Sequence, residues 1–307
     1  MIFSLKGSKI IISSKDNEIV KEIRKLKEKK YRKDKFIVEG IKMLEEAINE
    51  NASIDLIVIR EGMDLSNLIS NVLYKNDADS GVKSKNIIDA ISKIKSITVT
   101  EKVFDTLTDV VSPQGVLAVI NKRENGIINQ ATENNNASEI GDKIKETENV
   151  KIDTTTDYIL ALDGIQDPGN LGTIIRTADS ANLKQLIVSK NTVDAYSPKV
   201  IRSTMGAIYR VNIIEVENLE WTLKDLQKDG FKVVVTSLDT NNSIYDISYN
   251  KSIVVIGNEA NGVSKEVQEL ANERVKIPML GKTESLNASV ATGIMIYEYV
   301  RKILKNN

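Results

Sequence analysis

Three loops in the second half of the chain carry residues able to do chemistry. The first, DGIQDPGNLGTIIRTADSA (163–181), places Asn170 where a helix N-cap belongs and Arg176 six residues on, flanked by Thr177, Ala178 and Asp179. A helix N-terminus beside an Arg is a ready anion site. The second, IGNEANGVSKEV (256–267), brackets Glu259 between Gly257 and Gly262. Glycines at a strand end let the backbone approach a ligand closely. The third, IPMLGKTESLNASVATGIMIYEYV (277–300), runs from a strand end at Pro278 through a polar loop into a helix starting near Ser285 or Asn287. That helix is rich in small residues (Ala288, Ser289, Ala291, Gly293), which permit close packing on backbone or on a ligand. Each loop alone reads equally well without chemistry. The first is then a capped helix with a salt-bridged Arg, the second a turn carboxylate with Ser264 capping the next helix, and the third a capped helix at a tight interface.

Composition narrows the reactions available. The 307 residues hold 42 Lys+Arg against 43 Asp+Glu, with no His and no Cys. Those two zeros exclude disulfide frameworks, zinc fingers, CxxC redox sites, thiol nucleophiles, Ser-His-Asp triads and imidazole acid–base work. Chemistry must run on Asp, Glu, Arg, Lys, Ser, Thr, Asn, Tyr or a bound cofactor, and no metal-ligand cluster is expected. Two phosphate-loop templates fail. Gly281-Lys282-Thr283 ends like a Walker A loop, but Lys276 stands where its first Gly belongs. Gly169 and Gly172 end like a dinucleotide fingerprint, but Asp167 stands at its first Gly and would repel a pyrophosphate.

Taken together, the three loops resemble the three motifs of the SpoU/TrmH class of RNA ribose 2′-O-methyltransferases, in the SPOUT superfamily. Asn170, Gly172 and Arg176 match N-x-G-x-x-x-R; Gly257, Glu259 and Gly262 match G-x-E-x-x-G. Ile277, Pro278, Met279, Ser285, Leu286, Asn287, Ser289 and Ala291 match the third motif. Order and spacing agree over about 150 residues, and the usual Gly after the first helix is replaced around Ala181-Asn182. The resemblance implies an α/β domain whose C-terminal part threads a trefoil knot, a homodimer with the active site at its interface, and S-adenosylmethionine as cofactor. It places cofactor contacts at Ser237, Ile256, Gly257, Ile277, Met279, Leu286 and Ala288. It places the reaction at Arg176, Asn170, Glu259, Ser285 and Asn287. By this reading Asn170 orients Arg176 or the ribose, Glu259 pairs with Arg176 or fixes the second loop, and Ser285 and Asn287 hold ribose or cofactor. Arg176 would be the base or its assistant. A guanidinium rarely deprotonates, so phosphate binding and polarisation of the hydroxyl suit it better.

The elements that must position these loops follow from periodicity. From Tyr158 onward strands are expected at 158–163, 184–189, 211–216, 231–237, 252–257 and 274–278. Helices are expected near 171–182, 198–208, 219–229, 264–272 and 287–305. Near-continuous β-branched strands indicate a parallel sheet covered on both faces, with ligands at the strand carboxyl ends. Residues 1–121 alternate strands (36–40, 53–60, 96–100, 116–120) with helices (17–29, 41–49, 101–110), giving a small α/β domain that resembles the substrate-binding domain of this class. Residues 122–157 are Asn-, Glu- and Thr-rich without a period, and read as a flexible polar linker to the 158–307 domain. A further polar loop is expected at 76–86.

Charge points to the partner. Residues 21–35 hold nine Lys/Arg against three acids. Arg24, Lys25, Lys29, Lys30, Arg32 and Lys33 are the candidate RNA contacts; the interleaved Glu22 and Glu28 leave a solvated helix face as the alternative. Aromatics make up only 5%, so structured RNA recognised by shape is favoured over broad stacking surfaces. Tyr31 and Phe36 could stack, but core roles suit them better. By family analogy 23S ribosomal RNA is the first expectation and transfer RNA the second, with a catalytically silent RNA-binding protein of the same fold as a further alternative. No stretch approaches 18 apolar residues, and no export signal or cysteine is present, so a cytoplasmic protein without membrane association is expected.

Overall fold

The computed structural model describes residues 11–64, 89–123, 144–147 and 150–306. It divides the chain into two compact units. One holds Met1–Lys122 with Tyr196–Arg202, the other Arg123–Ala195 with Ser203–Asn307. The expected 76–86 loop lies outside the described residues.

The first unit runs β1 (Ile11–Ile12), α1 (Glu18–Lys25), a 3-10 turn (Lys29–Tyr31), β2 (Lys35–Glu39), α2 (Ile41–Asn49), β3 (Ile54–Arg60), β4 (Ser96–Val99), α3 (Glu101–Leu107) and β5 (Val116–Asn121). Its mixed sheet has the order β1-β4-β3-β5-β2. The edge strand β2 runs antiparallel to β5, with Ile37 opposite Val119. The helix α1 starts at an Asn17 cap, whose side-chain oxygen accepts the Ile19 N–H, and it buries Val20 and Ile23. These pack in one core with Val58, Val99, Phe104, Leu107 and Leu117. Its opposite face carries the bases, which is why a charge-rich segment can still be a stable helix.

The second unit begins with an antiparallel hairpin, β6 (Ile144–Thr147) and β7 (Val150–Asp153). The polar stretch is therefore not linker to its end. Ile152 is fully buried in the core that holds Ile159 and Ile187, and the Gln185 amide exchanges two hydrogen bonds with the Asp153 backbone (2.9 and 2.6 Å). Composition averaged over 36 residues hides an apolar side chain, Ile152, that docks the hairpin.

The chain continues through β8 (Tyr158–Asp163), α4 (Pro168–Ser180), β9 (Gln185–Ser189), α5 (Pro198–Thr204), β10 (Asn212–Val216), α6 (Leu219–Lys228), β11 (Lys232–Thr236), β12 (Ser252–Gly257), α7 (Lys265–Glu269), β13 (Glu273–Val275) and α8 (Ala288–Asn306). The six-stranded sheet, β10-β9-β8-β12-β11-β13, is parallel throughout. Every residue of β12 is buried, as both-face coverage requires. On one face Leu219, Leu223 and Leu226 of α6 meet Ile159, Val233 and Val255. Each such side chain, fully buried, stabilises by about 1.5–3 kcal/mol. The chain winds outward one way from β8 through β9 and β10, and the other way from β12. The β8/β12 pair is thus the topological switch point, the place beyond whose carboxyl ends open α/β sheets bind their ligands. Among the described residues no helix is long and apolar enough to cross a membrane.

Candidate functional site

The loops after β8 and β12 meet at the switch point, and the sequence shows why they can. Gly257 ends β12 where an added Cβ would overlap the backbone of Gly262 and Val263. Asn258 and Gly262 exchange main-chain hydrogen bonds of 2.9 Å each, so only glycine fits beneath the turn. Gly262 itself sits at φ +69°, a left-handed conformation that glycine adopts without strain. The Asn258 amide donates to the Gly164 carbonyl (2.7 Å) and its oxygen accepts the Ala260 and Asn261 N–H groups. Asp163 accepts the Ser264 N–H at 2.8 Å. The two loops are laced together before any catalytic candidate is counted.

Asn170 is not the N-cap expected of it. Asp167 takes that place, its Oδ1 accepting the Asn170 N–H at 2.8 Å, and Pro168 occupies the first turn. The Asp-Pro pair was the available signal, because Pro suits the first helical position and Asp the cap before it. The shift leaves the Asn170 amide free, only 9% exposed as a residue, to bridge two loops. Its Nδ2 donates to Glu259 Oε1 (2.9 Å), and its Oδ1 accepts from Asn287 Nδ2 (2.9 Å). Asn287 does cap its helix, its Oδ1 accepting the Ser289 and Val290 N–H groups (2.9 and 3.3 Å). Since the Asn287 oxygen is committed to those donors, its nitrogen must face Asn170, and the Asn170 nitrogen must face Glu259. All three motifs are joined by one directional chain of hydrogen bonds.

Glu259 also accepts the Gln166 and Asp167 N–H groups (3.2 and 3.4 Å). Partial burial works to raise its carboxyl. The hydrogen bonds from Asn170 and from the main-chain N–H groups of Glu259, Gln166 and Asp167 outweigh that and hold it below the ordinary carboxylate range. Neither Glu259 nor Asn170 hydrogen-bonds Arg176 among the described residues; the bonds they make fasten the loops. Arg176 and Ser285 are exposed and make no hydrogen bond or ion pair among the described residues.

The cofactor candidates sit at neighbouring strand ends. Ser237 follows β11, its N–H donating to the Val275 carbonyl at 2.9 Å. Ile256 and Gly257 end β12 and are buried; Ile277, Met279 and Leu286 lie half-buried in the segment after β13, and Ala288 is buried at the start of α8. That segment runs from the sheet edge back to Asn170 at the centre. From Ile277 to Leu286 its backbone groups make no hydrogen bond among the described residues. A row of open N–H and C=O groups beside apolar side chains fits an adenine ring, which needs both.

In the first unit the basic candidates divide. Lys25, Lys29, Lys30 and Lys33 are exposed, and Arg24 is half-exposed. Arg32 is 6% exposed, its guanidinium donating to the Leu26 carbonyl at 2.8 Å. It closes the end of α1 and is no RNA contact, because a helix C-terminus leaves carbonyls that need a donor. Lys30 pairs with Glu28 (2.9 Å). Phe36 is core, as expected, but Tyr31 is exposed.

A wound parallel α/β domain, with cross-braced loops at its switch point and open backbone beside them, defines a ligand-binding protein of the α/β class. Comparison with known proteins names the branch. Residues 157–297 match the SpoU rRNA Methylase family and residues 17–118 the MRM3-like substrate binding domain. A putative TrmH family tRNA/rRNA methyltransferase of Staphylococcus aureus is 32% identical over 267 residues, 87% of this chain and 96% of its own. The 23S rRNA (guanosine(2553)-2′-O)-methyltransferase RlmP of Bacillus subtilis is 27% identical over 289 residues, 93% and 97% of the two chains. The crystal structure of an AdoMet-bound rRNA methyltransferase from Sinorhizobium meliloti superposes with a TM-score of 0.73 at 28% identity, covering 97% of this chain and 99% of that one. The chain belongs to the SpoU/TrmH family of RNA methyltransferases.

Proposed function

We propose that this protein transfers a methyl group from S-adenosylmethionine to a ribose 2′-hydroxyl of RNA, with 23S ribosomal RNA as substrate. The observation that carries it is the Glu259–Asn170–Asn287 chain, which brings the three family motifs to one place. The cofactor, when bound, supplies an electrophilic methyl on a sulfonium. Ile256, Gly257, Ser237 and the open backbone of Ile277–Leu286 would hold it, and Ala288 would pack against it. Arg176 binds the phosphate beside the target ribose and polarises the hydroxyl, while a phosphate oxygen or water accepts the proton. Ser285 would hold the ribose.

The unpartnered Arg176 also supports a homodimer in which the α4/α8 face meets a second copy. Val290 and Tyr297, two turns apart on α8, are exposed there, and Tyr297 hydrogen-bonds Ser180 of α4 (3.1 Å). A knotted C-terminus is part of the same proposal. It is supported by β12 lying between β8 and β11 and by the return of the 277–287 segment to Asn170.

The test is incubation with methyl-labelled S-adenosylmethionine and unmodified total RNA, then alkaline hydrolysis. Alkaline cleavage needs a free 2′-hydroxyl, so ribose methylation leaves labelled dinucleotides uncut. Label from large ribosomal RNA is the expected result. Label from transfer RNA overturns the substrate, and no label in any RNA, including assembly intermediates, overturns the activity.

A further inference from the structure

We infer that Tyr31 is a stacking platform for one unpaired base of the RNA, with Lys25 and Lys33 taking the flanking phosphates. This rests on the reading that the substrate is RNA. Tyr31 is 42% exposed in a chain with few aromatics, and it sits inside the most basic stretch of the sequence. The Lys30 ammonium lies 4.8 Å from the ring centroid and that of Lys25 5.9 Å. An exposed tyrosine among apolar neighbours would be ordinary surface; one ringed by ammonium groups matches the combination that single-stranded RNA needs, a π-face beside a cationic track.

The turn is held in place. The Tyr31 N–H donates to the Glu28 carbonyl (3.1 Å), and the Arg32 N–H to that of Lys29 (3.0 Å). Directly after Tyr31, the buried Arg32 guanidinium is fastened to the end of α1. The ring therefore stands out from a fixed turn, and little ordering remains to be done on binding. Lys30 is kept by Glu28, whereas Lys25 and Lys33 make no ion pair among the described residues. A base arriving on the ring displaces the more distant ammonium, Lys25, onto its own phosphate. Arg32 thus acts as a positioning residue, and Tyr31 as the one that touches RNA.

The experiment uses the full chain without methyl donor and a 12-nucleotide single-stranded RNA carrying one 2-aminopurine, read by anisotropy and quenching across a salt series. Tyr31→Leu is expected to weaken binding ~5- to 150-fold and to abolish the quenching, with the salt dependence unchanged. Tyr31→Phe is expected to keep affinity and quenching. Lys25→Gln is expected to lower the salt slope by about 0.7. Unchanged affinity and quenching in Tyr31→Leu overturns the inference, and so does equal loss in Tyr31→Phe and Tyr31→Leu. Methyl transfer by the wild type is assayed separately. Tyr31-dependent quenching without any methylation sinks the proposed function and leaves this inference standing; methylation with Tyr31-independent binding sinks only this one.

Discussion

Replacing Asn287 by Asp separates the two jobs of that residue. The Oδ1 that accepts the Ser289 and Val290 N–H groups is retained, so the helix cap, which contributes about 1 kcal/mol, survives. The Nδ2 that donates to Asn170 is lost. Asn170 Oδ1 is then left without its donor at a nearly buried site, at a cost of about 1–3 kcal/mol. Carboxylates now stand on both sides of one amide. At a separation of roughly 6–7 Å and an effective dielectric of about 20 they repel by about 2.5 kcal/mol. Turning the Asn170 amide over does not help, since its oxygen would then face Glu259. Together these give about 3.5–5.5 kcal/mol, read as reduced stability in urea unfolding. Cofactor affinity by calorimetry should fall ~10- to 100-fold, because the third loop is no longer fastened to the first. The pH dependence carries a sign. In the variant one carboxyl is raised by its neighbour, so the folded state binds a proton that the unfolded state does not, and stability rises as pH falls from 7 towards 5. In the wild type the Glu259 carboxyl contributes no such rise over that range and loses stability only below about pH 4.5. If Asn287→Asp matches the wild type in stability, affinity and direction with pH, the hydrogen-bonded chain does not hold the site. Asn287→Ala loses the cap as well, about 1 kcal/mol, but is spared the charge repulsion, so at pH 7 it should be less destabilised than Asn287→Asp.

Four other outcomes are expected. Gly257→Ala should destabilise the second unit by about 3 kcal/mol or more, seen in thermal unfolding, because its methyl has no room under the Gly262–Val263 backbone. In the wild type the depressed Glu259 carboxyl stabilises the loops fully above pH ~4.5; that stability is lost as pH falls through its lower folded value, which carboxyl titration by NMR would follow. Arg176→Ala should abolish methyl transfer while calorimetry shows cofactor binding intact; full turnover with only RNA affinity lost would remove Arg176 from the reaction. Arg32→Ala should cost about 1.5–3 kcal/mol of stability in the first unit, measured by denaturation, because the Leu26 carbonyl loses a charged donor.

Local pattern made most of the fold readable. The strands at 158–163 and 252–257 and the helix at 41–49 lie where alternation and period placed them, because burial on both faces leaves long β-branched runs and burial on one face leaves a helical stripe. Motif spacing likewise picked out Asn170, Glu259 and Asn287, which the fold joins. It did not assign their partners. Asn170 read as a cap because a cap is a local event, while its bonds to residues 89 and 117 positions away are not. The same limit applies to Ile152, one apolar side chain in a polar stretch, and to Arg32, whose charge says nothing about the carbonyl it closes. Element type, the missing imidazole and thiol chemistry, and the three motifs are thus properties of the sequence itself. Which carboxylate is tied to which amide, which base is buried and which ring is exposed were decided only when the strands closed around the switch point and α1 docked on its core. Those contacts join residues far apart in the chain, and periodicity carries no information about such pairs.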